Sequence, residues 1–237
     1  MELFDLGRRF QSALIGENPK PEFMFTGIIQ EVGRVASIKT KGAKRRITIS
    51  ATESSRELKE GDSISVSGVC LTAIEIAKNS FSADLAQETW LRTSFSRLKS
   101  GAIVNLELPM RANGRFDGHV VQGHVDGTGS VISIEPVPDG NDYLLEINVP
   151  SELTRYIVPK GSLAVEGISL TVAAIDGTQV QIAIIPHTAE VTNLHSLKPD
   201  DPVNLEVDVI AKYVEKMTVL ERAHGSLNIT KLVSLGF

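Results

Sequence analysis

Short runs in which apolar and polar residues alternate recur along the chain, among them RITIS, SISVSG, YLLEINV and QVQIAII, separated by Gly, Asn, Asp and Pro. Period-two alternation in β-branched segments of this length is the pattern of strands with one buried face, and its near-regular punctuation predicts small barrels or sandwiches. Two kinds of segment break the pattern. AQETWLRTSFSRL (Ala86 to Leu98), with its equivalent at Pro186 to Leu197, reads as a short helix or loop, and SELTRYIV (Ser151 to Val158) reads likewise, with Ser151 as an N-cap ahead of Glu152. VDVIAKYVEKMTVLER, from Val207 to Arg222, predicts a terminal helix with Ile210, Val214, Met217 and Leu220 or Glu221 on one face. That stripe needs something to dock on, either its own barrel or another subunit.

The pattern is written twice. Thr72 in VSGVCLTAIE aligns with Thr171 in VEGISLTVAA at an offset of 171 − 72 = 99, and IVNLEL falls on PVNLEV at the same 99. TSFSRLKSG pairs with TNLHSLKPD without a gap, whereas GRVASI pairs with GSVISI at 129 − 33 = 96. Two copies of this length indicate duplicated domains rather than a solenoid of short repeats. The expected division is an extension over residues 1–23, barrels over 24–119 and 120–208, and a helix and tail over 209–237.

Composition narrows the class. A chain of 237 residues, 42% hydrophobic and 22% charged, is an ordinary globular sequence with room for two domains. Its formal charge of −5 argues against nucleic acid, and the one basic run, KTKGAKRR, is explained by a solvated hairpin turn. A single cysteine excludes an internal disulfide framework and suits a reducing cytoplasm. The apolar runs are too short for a membrane helix. Leu3, Leu6, Phe10 and Leu14 recur at helical spacing before Pro19 and Pro21, and the acidic start argues against a secretory signal; an added leader, an upstream start codon and a native helical arm all fit.

MFTGIIQEVG, GVCLT, GHVVQGHVDGTG and VEGISLTV, in this order inside a tandem repeat, resemble the riboflavin synthase alpha-chain family over Met24 to Val214. The resemblance implies an all-β fold of two six-stranded Greek-key barrels, a C-terminal helix joining three chains in a homotrimer, no metal and no redox cofactor. It also implies a transferase that dismutates two molecules of 6,7-dimethyl-8-ribityllumazine, in the cytoplasm and in association with lumazine synthase.

Two like pockets suit a reaction between two copies of one substrate, yet one molecule must become a carbanion and the other its acceptor. Unlike residues at matched positions are therefore informative, and Cys70 against Ser169 is such a pair. The resemblance assigns catalysis to Cys70, Ser63, His124 and Asp208. On the residues alone, Cys70 reads as a small buried hydrophobe, Ser63 as an outward strand residue and His124 as a turn residue in competition with His119, while Asp208 fits an N-cap as well as a catalytic group. Phe25 is either a pocket aromatic or a core one. For binding, the resemblance groups Gly27, Ile28, Ile29, Cys70, Leu71, Thr72, Asp84, Leu85, Ala86, Gln87, Glu88 and Thr89 around one pteridine. It groups Gly123, His124, Val125, Lys160, Ser169, Leu170, Thr171, Ile185, Pro186, His187, Thr188, Ala189 and Glu190 around the other.

Three rival functions stand beside the enzyme. A non-catalytic antenna relative would bind a lumazine or flavin without turnover, but the motif residues are intact in both copies. A flavin reductase would need a following Gly-rich βαβ unit, and none is present in the sequence. An interaction scaffold would leave the paired polar motifs unexplained.

Overall fold

The computed structural model describes residues 24–42, 44–138 and 140–223; the extension and tail anticipated at the two ends, over 1–23 and 224–237, lie outside them. The first copy forms β1 (Glu31–Lys41), β2 (Lys44–Ser50), α1 (Glu53–Glu57), β3 (Ser63–Val66), β4 (Val69–Thr72), β5 (Ile74–Ala77), β6 (Ser80–Leu85), α2 (Gln87–Arg92) and β7 (Ile103–Glu107). The second forms β8 (Gly127–Pro136), β9 (Tyr143–Asn148), β10 (Ser162–Val165), β11 (Ile168–Asp176), β12 (Gln179–Ile184), α3 (Pro186–Glu190), β13 (Pro202–Val207) and the terminal α4 (Val209–Ala223).

The second copy is a closed barrel in the order β10-β11-β12-β9-β8-β13. The first runs β4-β3-β7-β1-β2-β6-β5. Its two end strands are consecutive pieces of one strand interrupted at Ala73, next to Glu75, whose φ of 49° lies in the left-handed region. The unbroken β11 occupies the corresponding place in the second copy, so the two are one six-stranded design with a break in the first. Alternation places the cores: Ile47 and Ile49 of β2 and Phe81 and Ala83 of β6 are buried inside the first barrel, as are Leu145, Ile147, Val180 and Ile182 inside the second.

The segments that interrupt the strand pattern repeat in detail. The hydroxyls of Thr93 and Thr192 accept from the amides of Phe95 and Leu194, starting 3₁₀ turns at Ser94–Arg97 and Asn193–Ser196. The same two hydroxyls donate to the carbonyls of Thr89 and Thr188, each at 2.6 Å. Ser151 does not take the capping position expected of it: the turn there is Thr154–Tyr156, preceded by Leu153, and the Ser151 carbonyl accepts from the Thr154 hydroxyl.

Buried side-chain amides join the barrels across a pseudo-two-fold relation. Asn204 Nδ2 donates to the carbonyl of Ser67 at 2.9 Å, and Asn105 Nδ2 donates to the carbonyl of Glu166 at 2.9 Å. Their Oδ1 atoms accept from the amides of Ser94 and Asn193, each at 2.7 Å. Gly68 and Gly167 meet at the centre, where a Cβ on Gly68 would lie 2.8 Å from the Gly167 nitrogen. The apolar stripe of α4 stays uncovered within the chain: Ile210, Tyr213, Val214 and Met217 are all more than half exposed.

Candidate functional site

Two stretches that precede the barrels, residues 25–29 and 121–125, are exchanged between them. Phe25 and Val121 form an antiparallel bridge, with the Phe25 amide donating to Val121 O at 2.8 Å and the Val121 amide to Phe25 O at 3.1 Å. Beyond the bridge the stretches diverge, each onto the other copy's barrel. The Ser169 amide on β11 donates to Gly27 O, and the Cys70 amide on β4 donates to Gly123 O, both at 2.8 Å. Ile29 packs on the core of the second barrel and Val125 on the core of the first. The grouping expected from sequence is therefore corrected: Gly27, Ile28 and Ile29 stand with Ser169, and Gly123, His124 and Val125 stand with Cys70.

Each exchanged stretch is held by a buried carboxylate one strand away. Glu107 accepts from the Thr26 amide at 2.7 Å, the Thr26 hydroxyl at 2.8 Å and the Gly27 amide at 2.9 Å. Glu206, its counterpart at 206 − 107 = 99, accepts from the amides of Gln122, Gly123 and His124 at 2.7, 2.9 and 3.1 Å. Burial raises both carboxyls above the usual range against these N–H bonds, Glu206 to about 7. Gly27 and Gly123 have φ of 75° and 78°, which admits glycine far more readily than any side chain.

On the first barrel, Gly123 through Val125 thus lie beside Cys70, Leu71 and Thr72 of β4, and Asp84 through Thr89 run from the end of β6 into α2. Cys70 is half-buried beside Phe25, Val121 and Ala164. Burial pushes its thiol pKa up, the Ser63 hydroxyl opposes that, and the Glu206 charge adds to it. Ser63 is itself buried on β3, paired in register with Thr72. Leu71 and Leu85 point into the core while Thr72 and Asp84 face outwards.

On the second barrel, Gly27 through Ile29 lie beside Ser169 through Thr171 of β11, and Ile185 through Glu190 run from the end of β12 through α3. Ile28 and Ile185 are 44% and 57% exposed, apolar side chains on a polar surface. Lys160 is exposed at φ 67° just before β10. Here the structure adds His119, whose Nδ1 lies 2.7 Å from Ser169 Oγ and whose Nε2 is buried without a hydrogen-bond partner among the described residues. Burial lowers the His119 pKa, and the Asp208 charge opposes this. The pairing spans 50 residues, so spacing carried no signal of it.

Asp208 caps α4, accepting from the Ile210 amide at 2.9 Å, and is close enough for its charge to reach His119. The His124 amide is held by Glu206 while its residue is exposed. Phe25 is fully buried between the barrels, next to Cys70. Cys70 and Ser63 are thus brought together, and Asp208 is set towards His119. No hydrogen bond joins the side chain of His124 to those of Cys70, Ser63 or Asp208 among the described residues.

Two barrels of one six-stranded design that exchange their leading stretches define a tandem-domain protein built by duplication. The lumazine binding domain matches residues 26–109 and 122–208. Riboflavin synthase of Actinobacillus pleuropneumoniae is 45% identical over 217 residues, covering 90% of this chain and all of that protein. Riboflavin synthase of Bacillus subtilis is 41% identical over 191 residues, covering 81% and 88%. LumP complexed with riboflavin is a similar solved structure at a TM-score of 0.71 and 25% identity, covering 78% of this chain and 99% of that one. LumP complexed with 6,7-dimethyl-8-(1'-D-ribityl) lumazine gives a TM-score of 0.69 at the same identity. The chain belongs to the riboflavin synthase family of lumazine-binding-domain proteins.

Proposed function

We propose that the protein is a riboflavin synthase, a transferase that converts two molecules of 6,7-dimethyl-8-ribityllumazine into riboflavin and 5-amino-6-(D-ribitylamino)uracil. One observation supports the reading: the two barrels repeat one frame of strands with unlike side chains on it, Cys70 beside Ser63 in the first and Ser169 beside His119 in the second. One lumazine loses a proton from a ring methyl and attacks the other, a four-carbon unit moves across, and ring closure gives riboflavin. Every atom of the two substrates appears in the two products, so the exchange needs no oxidant or reductant.

Holding two identical substrates in reacting orientation is worth about 7–11 kcal/mol of barrier, and this is the part of the work that the rigid, exchanged frame supports. Cys70, Ser63, His124 and Asp208 are the proposed catalytic groups. Backbone at Gly27, Ile28 and Ile29, at Cys70 to Thr72, at Gly123 to Val125 and at Ser169 to Thr171 suits the donors and acceptors of a pteridine ring. Thr72 and Thr171 suit the ribityl hydroxyls. The functional units are the barrels of 24–119 and 120–208, each completed by a stretch of the other.

The exposed apolar face of α4 supports a homotrimer, with the reaction running between the first pocket of one chain and the second of its neighbour. A free thiol at Cys70 suits the cytoplasm, where association with lumazine synthase would bring the substrate. The test is to mix the purified protein with 6,7-dimethyl-8-ribityllumazine, without added cofactor, and follow absorbance and chromatography. Riboflavin formed at half the rate of lumazine loss is the expected result. Tight binding without turnover overturns the enzyme and leaves an antenna-like binder of lumazine or flavin.

A further inference from the structure

Where β6 meets β2 in the first barrel and β12 meets β9 in the second, the outer faces of the two copies differ in charge. Asp84 is paired with Arg46 on β2, and the offset of 99 makes Thr72 and Asp84 the counterparts of Thr171 and Ala183 in the second barrel. Cys70, Thr72, Asp84 and Arg46 all lie on the outer face of the first barrel. In the second barrel Ala183 is paired with Leu144 on β9. The matching set is Ser169, Thr171, Ala183, Leu144. Glu75, which also contacts Arg46, has Ala174 as its counterpart at 174 − 75 = 99. Three charged residues in one copy, Arg46, Asp84 and Glu75, thus correspond to three apolar residues in the other, Leu144, Ala183 and Ala174.

The contact is directional. Arg46 Nε donates to Asp84 Oδ1 at 2.6 Å and Nη2 donates to Oδ2 at 2.9 Å, the two-pronged pairing that a planar guanidinium makes with a carboxylate. Nη1 is occupied by Glu75. Each oxygen of Asp84 keeps a lone pair free after this, and the carboxylate cannot turn without breaking both bonds. Hydrogen bonding to Arg46 also holds the Asp84 carboxyl below the usual range, so it remains an acceptor throughout the neutral range. An exposed ion pair of this kind contributes little to stability, which leaves its geometry as the reason to look for a ligand role.

Resting on the lumazine-binding reading, we infer that Arg46 is a positioning residue of the first pocket, clamping Asp84 so that its free lone pairs accept the hydroxyls of the polyol side chain. The second pocket, with Ala183 and Leu144, reads that side chain through Thr171 without a charge. The duplicated pockets accordingly differ in how strongly they depend on the polyol, independently of Cys70 and Ser169.

The experiment compares two ligands, 6,7-dimethyl-8-ribityllumazine and 6,7,8-trimethyllumazine, which lacks the polyol, by fluorescence titration of the full chain and of Arg46→Leu, Arg46→Lys and Asp84→Asn. Arg46→Leu is expected to weaken the ribityl ligand at one class of site by about tenfold, as for loss of a charged hydrogen bond, and to leave the trimethyl ligand unchanged. Asp84→Asn reproduces the loss, Arg46→Lys recovers part of it, and in turnover KM rises with kcat held. Equal weakening of both ligands, or none of the ribityl ligand, overturns the assignment of Arg46. A wild-type chain that binds neither ligand overturns the lumazine-binding reading itself, which the other outcomes leave standing.

Discussion

The amide of Cys70 donates to the carbonyl of Gly123 at 2.8 Å, so the strand that carries the only thiol is bound to the stretch leading into the other barrel. The same contact recurs between Ser169 and Gly27, and the glycines are what allow the approach. A Cβ on Gly123 would meet Cys70 Cβ at 2.6 Å, and one on Gly27 would meet Ser169 Cβ at 2.7 Å. Both sit at positive φ, where a side chain adds about 1–2 kcal/mol of backbone strain. Gly123→Ala and Gly27→Ala should each lower kcat/KM about tenfold or more, through displacement of one pocket wall. Steady-state kinetics check this. Wild-type rates in both variants would show that the exchanged stretches do not shape the pockets.

Cys70 offers a sharper division of roles. Burial raises its thiol pKa, so at neutral pH it is the protonated form, a weak donor lining the pocket rather than a ready thiolate. Cys70→Ser keeps a donor of similar size and should retain activity within about tenfold, whereas Cys70→Ala should lose more, by roughly 1–3 kcal/mol of transition-state stabilisation. Loss of essentially all turnover in Cys70→Ser, with ligand binding intact, would instead identify the sulfur as an obligatory nucleophile.

Much of this molecule is legible in its sequence because duplication makes each half a reading of the other. The offset of 99 aligns Cys70 with Ser169, Glu107 with Glu206 and Asn105 with Asn204, and each pair has matched partners in the structure. The exchange of stretches 25–29 and 121–125 was not legible, since alignment of two copies is identical whether each stretch closes its own barrel or its neighbour's. Buried amide networks are similarly silent: Asn105 and Asn204 sit in strand patterns as ordinary polar residues. In the sequence His119 stands only as a rival of His124, because its partner Ser169 is 50 residues away.

His119 yields a pH-dependent prediction. Its pKa in the folded chain lies below the ordinary 6.5, because burial disfavours the imidazolium. The unfolded chain therefore takes up a proton first as pH falls, and this residue withdraws stability from about pH 6.5 downwards while contributing nothing above it. In His119→Gln, thermal melts should lose less Tm than wild type between pH 7 and 5. Turnover should fall as well, since Ser169 Oγ loses the partner that orients it at 2.7 Å. An unchanged Tm profile would mean that the imidazole is charged or solvated in the folded chain.

Glu166 has the opposite sign. It is fully enclosed at the junction of the barrels, accepting from the Asn204 amide at 2.7 Å and from Asn193 Nδ2 at 3.0 Å. Burial nevertheless pushes its pKa up from 4.5 to about 7. The folded state retains a proton that the unfolded chain has released, so stability drains away as pH rises from about 4.5 to about 7. A shift of that size corresponds to roughly 3 kcal/mol at pH 8, at about 1.4 kcal/mol per pKa unit. Glu166→Gln cannot ionise, and its Tm should lose less than wild type's as pH rises from 5 to 8, whatever the offset from the altered hydrogen bonds. The counterpart position, Ser67, carries no such charge, so the junction titrates on one side only. Denaturant melts at several pH values read this slope directly, and parallel profiles for wild type and Glu166→Gln would show that Glu166 is already ionised at the junction, held by the Asn204 and Asn193 donors.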